Sequence, residues 1–217
     1  MCGACWQSIL PLTPPLCDLC GDPLPGMALG RCPRCRRSPQ AVDRARAIGP
    51  YEGTLRDVIH ALKYDARRSL ARPLARLLRE RGADVLAGAD AVIPVPLHSS
   101  RRRERGFNQA ADIARHIAAG GATSDLTDYR LPIVHALRRV RATAPQAGLS
   151  AGRRHSNVRD AFAVTAACQG ARGRIVVLVD DVSTTGATLD VCARTLKAAG
   201  VAEVRALTAA RVVTSPR

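Results

Sequence analysis

Apolar residues fall along this chain in two rhythms. Val176-Val177-Leu178-Val179 is an unbroken aliphatic run, which fits a strand covered on both faces. Ala91-Val92-Ile93 is another, broken by Pro94-Val95-Pro96, and residues 45–48, 131–137, 161–165 and 204–207 are further strand candidates. Between them the spacing changes to three and four. Leu55, Val58, Ile59 and Leu62 mark one helix, Leu70, Leu74, Leu77 and Leu78 a second, and Ile113 and Ile117 a third. Residues 188–193 begin a fourth. Strands alternating with helices predict an α/β fold, a mostly parallel sheet flanked by helices. Residues 138–159 carry few apolar anchors and predict a mobile loop ending in a short helix. In open sheets ligands sit beyond the carboxyl ends of the strands. That rule gathers Asp180-Asp181, Pro94-Val95-Pro96 and Lys63 around one crevice.

The longest aliphatic run leads straight into Asp180-Asp181-Val182-Ser183-Thr184-Thr185-Gly186-Ala187-Thr188. Adjacent carboxylates repel unless amides, hydroxyls or a cation offset them. The small-residue turn before a helix offers backbone N–H groups from Thr184 to Thr188, which suit an anion such as a phosphate. Gly186 lets the backbone approach a ligand closely. Ser183, Thr184, Thr185 and Thr188 add hydroxyl donors. The layout is that of an anion site with a polyol beside it, the acids accepting from its hydroxyls.

The first forty residues have a different chemistry. Cys2/Cys5, Cys17/Cys20 and Cys32/Cys35 form three Cys-x-x-Cys pairs. Two such knuckles supply four soft ligands in a zinc-ribbon pattern. The gaps from Cys5 to Cys17 and from Cys20 to Cys32 are equal, so spacing leaves the pairing open. Gly21 after Cys20 favours a tight knuckle, and the ligand set expected is Cys17, Cys20, Cys32 and Cys35 with structural Zn²⁺. Cys2 and Cys5 are the lesser candidates and read as half of a further ribbon whose other half would lie upstream. Cys168 and Cys192 stand in apolar surroundings and read as core residues. After Pro39 the composition changes, which divides the chain into a zinc-ribbon head, 1–40, and a main domain, 41–217.

Composition changes this picture only modestly. The 217 residues carry 33 Lys and Arg against 18 Asp and Glu, a formal charge of +15. That balance favours a polyanionic ligand or partner, phosphate or nucleic acid. Only Lys63 and Lys197 are lysines, an arginine bias that a GC-rich genome produces whatever the function. Aromatic residues are 3% of the chain, which leaves few platforms for stacking bases. No apolar run has the length of a membrane span and no signal-peptide core is present at the start, so a cytoplasmic protein without membrane insertion is expected.

With its strand, two acids, hydroxylic turn and Thr-Gly, the segment 176–189 resembles the phosphoribosyl diphosphate (PRPP) motif of type I phosphoribosyltransferases. From Cys17 onward the chain resembles ComF, a competence-associated family of phosphoribosyltransferase-like proteins with an N-terminal zinc ribbon. That likeness is carried by Ile93-Pro94-Val95-Pro96-Leu97, the segment 101–109, and Arg141, Thr143, Gln146, Leu149, Arg154, Asn157, Ala161 and Phe162. It implies a type I phosphoribosyltransferase fold and transfer of ribose 5-phosphate from PRPP, assisted by Mg²⁺. It also implies a diphosphate pocket lined by Pro94, Val95 and Pro96, and a hood that closes over PRPP from the loop beginning at Arg141. Asp180 and Asp181 are then the ribose-hydroxyl acceptors, and Ser183, Thr184, Thr185, Gly186, Ala187 and Thr188 bind the 5′-phosphate. DNA uptake in natural transformation follows as the setting, with single-stranded DNA and helicase or recombination proteins as partners. A non-catalytic DNA-binding module and a PRPP-sensing regulator are the alternatives. Purine-salvage members carry an acid where this chain has Thr184, so no general base is visible. His60, His98 and His155 are candidates by residue type alone, and the acceptor is unnamed.

Overall fold

The computed structural model describes residues 2–26, 28, 30–120, 130–141 and 160–213. The cysteine-rich segment contains α1 (Gly3–Gln7) and α2 (Pro33–Arg37). Next come β1 (Arg44–Pro50), α3 (Gly53–Tyr64), α4 (Ala71–Arg81), α5 (Ala83–Leu86), β2 (Ala91–Pro94), α6 (Ser99–Arg105) and α7 (Gln109–Ala118). The chain continues through β3 (Leu137–Arg139), β4 (Phe162–Val164), β5 (Ile175–Ser183), α8 (Ala187–Ala198) and β6 (Glu203–Arg211). Strands β1-β6-β5-β2 form a parallel sheet in that order, as the alternating pattern predicts.

The aliphatic run of β5 is explained by what covers it. Val177 and Val179 pack with Leu55, Ile59 and Leu62 of α3, Leu74 and Leu78 of α4, and Ile113 and Ile117 of α7. Val176 and Leu178 turn to the opposite layer, with Leu189, Cys192 and Leu196 of α8. With helices on both faces of residues 176–179, no position in that run is polar, which erases the usual alternation there. Each fully buried aliphatic side chain contributes about 1.5–3 kcal/mol of transfer free energy. Cys168 and Cys192 are buried in the α8 layer, the core role expected of them. No helix among the described residues is long and apolar enough to cross a membrane.

Three expectations change. Residues 131–136 are not a sheet strand: they meet β2 only through the isolated bridge Ile133–Val92, Pro132 has no N–H to extend a ladder, and only Leu137 enters a strand, as the first residue of β3. The strand expected at 161–165 pairs antiparallel with β3 in a separate two-stranded sheet. That pairing also claims residues 138–139 from the expected loop, of which 142–159 lie outside the described residues. Finally, β5 does not stop at Val179. β6 runs alongside it to Arg211, pairing Asp180 with Thr208 and Ser183 with Arg211, so the acids are held inside the ladder.

Candidate functional site

The acids owe their environment to three elements meeting at the carboxyl end of β5. Lys63, in the last turn of α3, places its Nζ 2.7 Å from Asp181 Oδ1. Gln109, first residue of α7, donates from Nε2 to Asp181 Oδ2. The local sequence explains why it can. Asn108 caps α7 by accepting from the Ala110 N–H, while its amide donates to the Val95 carbonyl at 3.0 Å. One side chain thereby starts the helix and ties it to the Pro94-Val95-Pro96 loop. That loop is pinned in turn by the Val95 N–H on the Val179 carbonyl at 2.9 Å.

Asp181 is therefore ion-paired and buried, whereas Asp180 is half-buried and accepts from the Asp181 N–H at 2.8 Å. Loss of solvent, reinforced by the charge of Asp181, pushes the Asp180 carboxyl up to about 7, against the pull of the Asp181 N–H, Lys63 and Arg139. Arg139 lies over the Phe162 ring at 5.3 Å. Because Asp180 ionises near 3.8 in the unfolded chain and higher when folded, the folded protein holds the extra proton between those values. Stability from this group is then full at about pH 4 and lost as pH rises towards 7. Urea midpoints of wild type should fall across that window relative to Asp180→Asn, and parallel curves for the two proteins would contradict the assignment.

Beyond the acids the chain turns sharply. Gly186 has φ +80° and caps α8, a conformation that glycine adopts without strain. A Cβ there would lie 2.7 Å from both amide atoms of Gln40, so the turn also requires the missing side chain. Thr184 and Thr185 precede it, and Ala187 and Thr188 open the helix, whose N-terminal amides suit an anion. The Ser183 hydroxyl and the Gln109 Oε1 are buried with no hydrogen-bond partner among the described residues. Two orphaned polar atoms beside an acid pair and a helix N-terminus fit a polar, phosphate-bearing ligand.

Contacts at the carboxyl end of β5 thus bring Lys63 onto Asp181 and tie the Pro94-Val95-Pro96 loop to β5 and α7, with Asp180 and residues 183–188 adjoining along the chain. Arg141 is exposed at the end of a described stretch, and Gln146, Arg154 and Asn157 lie outside the described residues. Sequence reasoning did not assign Gln109, Asn108 or Arg139 individual roles. An Asn followed by an apolar-periodic run is a helix-start signal that could have flagged Asn108 and Gln109. His98 caps α6 through its ring nitrogen and His60 stacks on Tyr64, ordinary structural roles for both, and His155 lies outside the described residues.

The second constellation is metal-like. The sulfurs of Cys17, Cys20, Cys32 and Cys35 lie within 4.8 Å of one another and all four residues are buried. The Cys20–Cys32 sulfur separation is 3.7 Å, close to the roughly 3.8 Å edge of a tetrahedron with Zn–S bonds of about 2.3 Å. Hydrogen bonding to Cys35 draws the Cys20 thiol down to about 4, and the same contact, with burial, pushes Cys35 up. Four buried sulfurs at this spacing fit one structural zinc. Cys2 and Cys5 sit apart, their sulfurs 3.4 Å from each other at the start of α1.

Comparison with known proteins agrees with this geometry. A family model described as phosphoribosyl transferase domain matches residues 104–215. Competence protein F of Haemophilus influenzae is 32% identical over 94% of this chain and 87% of its own length. DNA utilization protein YhgH of Salmonella typhimurium is 34% identical over the same shares of the two chains. Competence protein ComFC of Bacillus subtilis is 25% identical over 93% of this chain and 80% of its own length.

Proposed function

This chain belongs to the ComF family of phosphoribosyl transferase domain proteins, and from that premise we propose that it binds PRPP and transfers the ribose 5-phosphate to an acceptor. The observation that carries the reading is the juxtaposition at the end of β5. A half-buried acid, Asp180, and an ion-paired one, Asp181, stand immediately before the Gly186 turn and the N-terminus of α8.

In this mechanism the amides of residues 184–188 and the Ser183, Thr184, Thr185 and Thr188 hydroxyls hold the 5′-phosphate. Asp180 accepts from a ribose hydroxyl, and Asp181 keeps Lys63 charged and aimed at the crevice. Lys63 and Arg139 bring positive charge to where the diphosphate develops its own, the electrostatic stabilisation that favours departure from C1. Pro94, Val95 and Pro96 line the diphosphate side, and the exposed Arg141 is a further PRPP-binding residue. Among the described residues the only group of three or more metal-ligating side chains is the cysteine cluster. Asp180 would be the carboxylate that meets a Mg²⁺ ion entering with PRPP. When bound, it would neutralise the leaving diphosphate. Thr184 has no carboxylate to serve as a base, so a purine base is a poor acceptor candidate.

We assign residues 1–40 to a zinc-holding head and 41–217 to the transferase unit, in the cytoplasm. The names of the relatives, competence and DNA utilization, support a role in DNA uptake, with single-stranded DNA and helicase or recombination proteins as partners. The charge of +15 and the exposed Arg31, Arg36 and Arg37 favour a second reading, a DNA-binding competence module in which PRPP is sensed and not consumed; Arg34 instead turns its guanidinium inward to the cysteine cluster. Diphosphate release from PRPP, assayed across free bases, nucleotides and single-stranded DNA, separates the two. Acceptor-dependent release supports the transferase, and PRPP binding with no release under any acceptor supports the sensor.

A further inference from the structure

The cysteine-rich head is joined to the phosphate turn at both ends of that turn. On one side, Asp22 and Arg211 form an ion pair at 3.1 Å, with 1% and 3% of their side chains exposed. Asp22 lies two residues past Cys20, and its carbonyl accepts from the Cys17 N–H at 2.8 Å, so the knuckle that holds the metal sets its place. Arg211 ends β6 in register with Ser183. The next N–H, of Val212, donates to the Ser183 carbonyl at 2.9 Å. The chain of contacts runs from the metal knuckle through one buried ion pair to the first residue of the turn.

On the other side, α2 carries Cys35 and leads into Gln40. The Gln40 amide donates to the Thr185 carbonyl at 2.9 Å and occupies the space that a Cβ on Gly186 would need. The next residue, Ala41, donates its N–H to Asp190 Oδ1 at 2.6 Å. Asp190 is buried in the first turn of α8, and its own N–H closes that turn on the Gly186 carbonyl at 2.9 Å. A further backbone bond, from the Ala45 N–H to the Leu19 carbonyl at 2.7 Å, fixes the head against β1.

We propose that the metal-ordered head is a positioning element for the phosphate turn, with Gln40 and the Asp22–Arg211 pair as its positioning residues. A pre-organised turn presents its amides to an anion without an ordering cost. When the cluster is emptied, Asp22 and the end of α2 lose their fixed places, and residues 183–190 lose the groups that brace them. Breaking the buried pair leaves a charge uncompensated at the end of β6, beside the Ser183 backbone. Metal loading therefore governs the affinity for a phosphate-bearing ligand, although no cysteine touches that ligand. The affinity part rests on the PRPP reading; the bracing of the turn does not.

The test uses the zinc-loaded full chain and compares wild type with Gln40→Ala, Asp22→Asn and Asp22→Asn/Arg211→Gln. Zinc per chain, amide hydrogen exchange at residues 184–190 and PRPP affinity are measured on each. In Gln40→Ala exchange at 186–190 is expected to rise and PRPP affinity to fall about 5- to 10-fold, the scale of one lost hydrogen bond, with zinc content unchanged. Asp22→Asn has a larger effect, partly restored in the double variant because the stranded Arg211 charge is then gone as well. Chelated wild type shows the same exchange pattern. Unchanged exchange at 184–190 in zinc-loaded Gln40→Ala, or in chelated wild type, overturns the proposal. If wild type fails to bind PRPP at all, the functional reading falls, and the exchange data still decide whether the head braces the turn.

Discussion

The Asp180→Asn/Asp181→Asn protein is expected to bind PRPP at least about 100-fold more weakly than wild type. Hydrogen bonds to charged groups contribute about 1.5–3 kcal/mol each, and the double change removes both carboxylates from the crevice. The two positions fail for different reasons. Asp180 is the acid without an ion pair, raised towards neutrality by burial beside Asp181, and as an amide it can no longer offer a ribose hydroxyl a charged acceptor. Asp181 is already engaged by Lys63 and Gln109, and its loss leaves the Lys63 ammonium without a counter-charge. Removing one member of a buried pair costs about 3–5 kcal/mol, so folding must be separated from binding. Adding Lys63→Met to the double variant removes the stranded charge. That protein should regain wild-type thermal stability to within a few degrees without regaining PRPP affinity. Recovery of both together would assign the acids a purely structural role.

The largest effect on stability is expected at the cysteine cluster. Cys35→Ser, or chelation of the wild type, should lower Tm by roughly 10 °C or more. A zinc-binding site contributes to folding directly, because no preformed site exists in the unfolded chain. In a chain of this size each kcal/mol corresponds to about 2–4 °C. Around the four sulfurs the buried apolar residues form only a small cluster, the cysteines and Leu24. Cys2→Ser should leave both zinc content and Tm unchanged, since Cys2 is exposed and lies apart from the four. Differential scanning fluorimetry with zinc quantification reads both variants. Equal losses for Cys2→Ser and Cys35→Ser would contradict the ligand set.

Much of this was legible before any coordinates. The four aliphatic residues 176–179 announced a strand covered on both faces, and the spacing of Leu55, Val58, Ile59 and Leu62 announced α3, because burial leaves periodic marks. The acid pair and the hydroxylic turn were legible because few residue types can serve that chemistry. What was hidden depends on pairings between distant segments. Whether a strand at 161–165 joins the main sheet or pairs with Leu137–Arg139 is decided by neighbours the local pattern does not specify. β5 extends past Val179 because β6 is long enough to pair with it. Lys63 was assigned to the crevice, but its grip on Asp181 needed α3 and β5 to be brought together. The helix-start signal at Asn108 marks where Gln109 begins α7 but not that it reaches Asp181, and Gln40 carries no local signature at all, since a glutamine is as common on a solvated surface as beneath an active site.

Isothermal titration of PRPP with Mg²⁺ into the zinc-loaded protein, and into Asp180→Asn/Asp181→Asn, tests the central claim most directly. Saturable binding at one site per chain, lost or weakened at least about 100-fold in the variant, is the predicted result. No binding to the wild type, or the same affinity in both proteins, would contradict it.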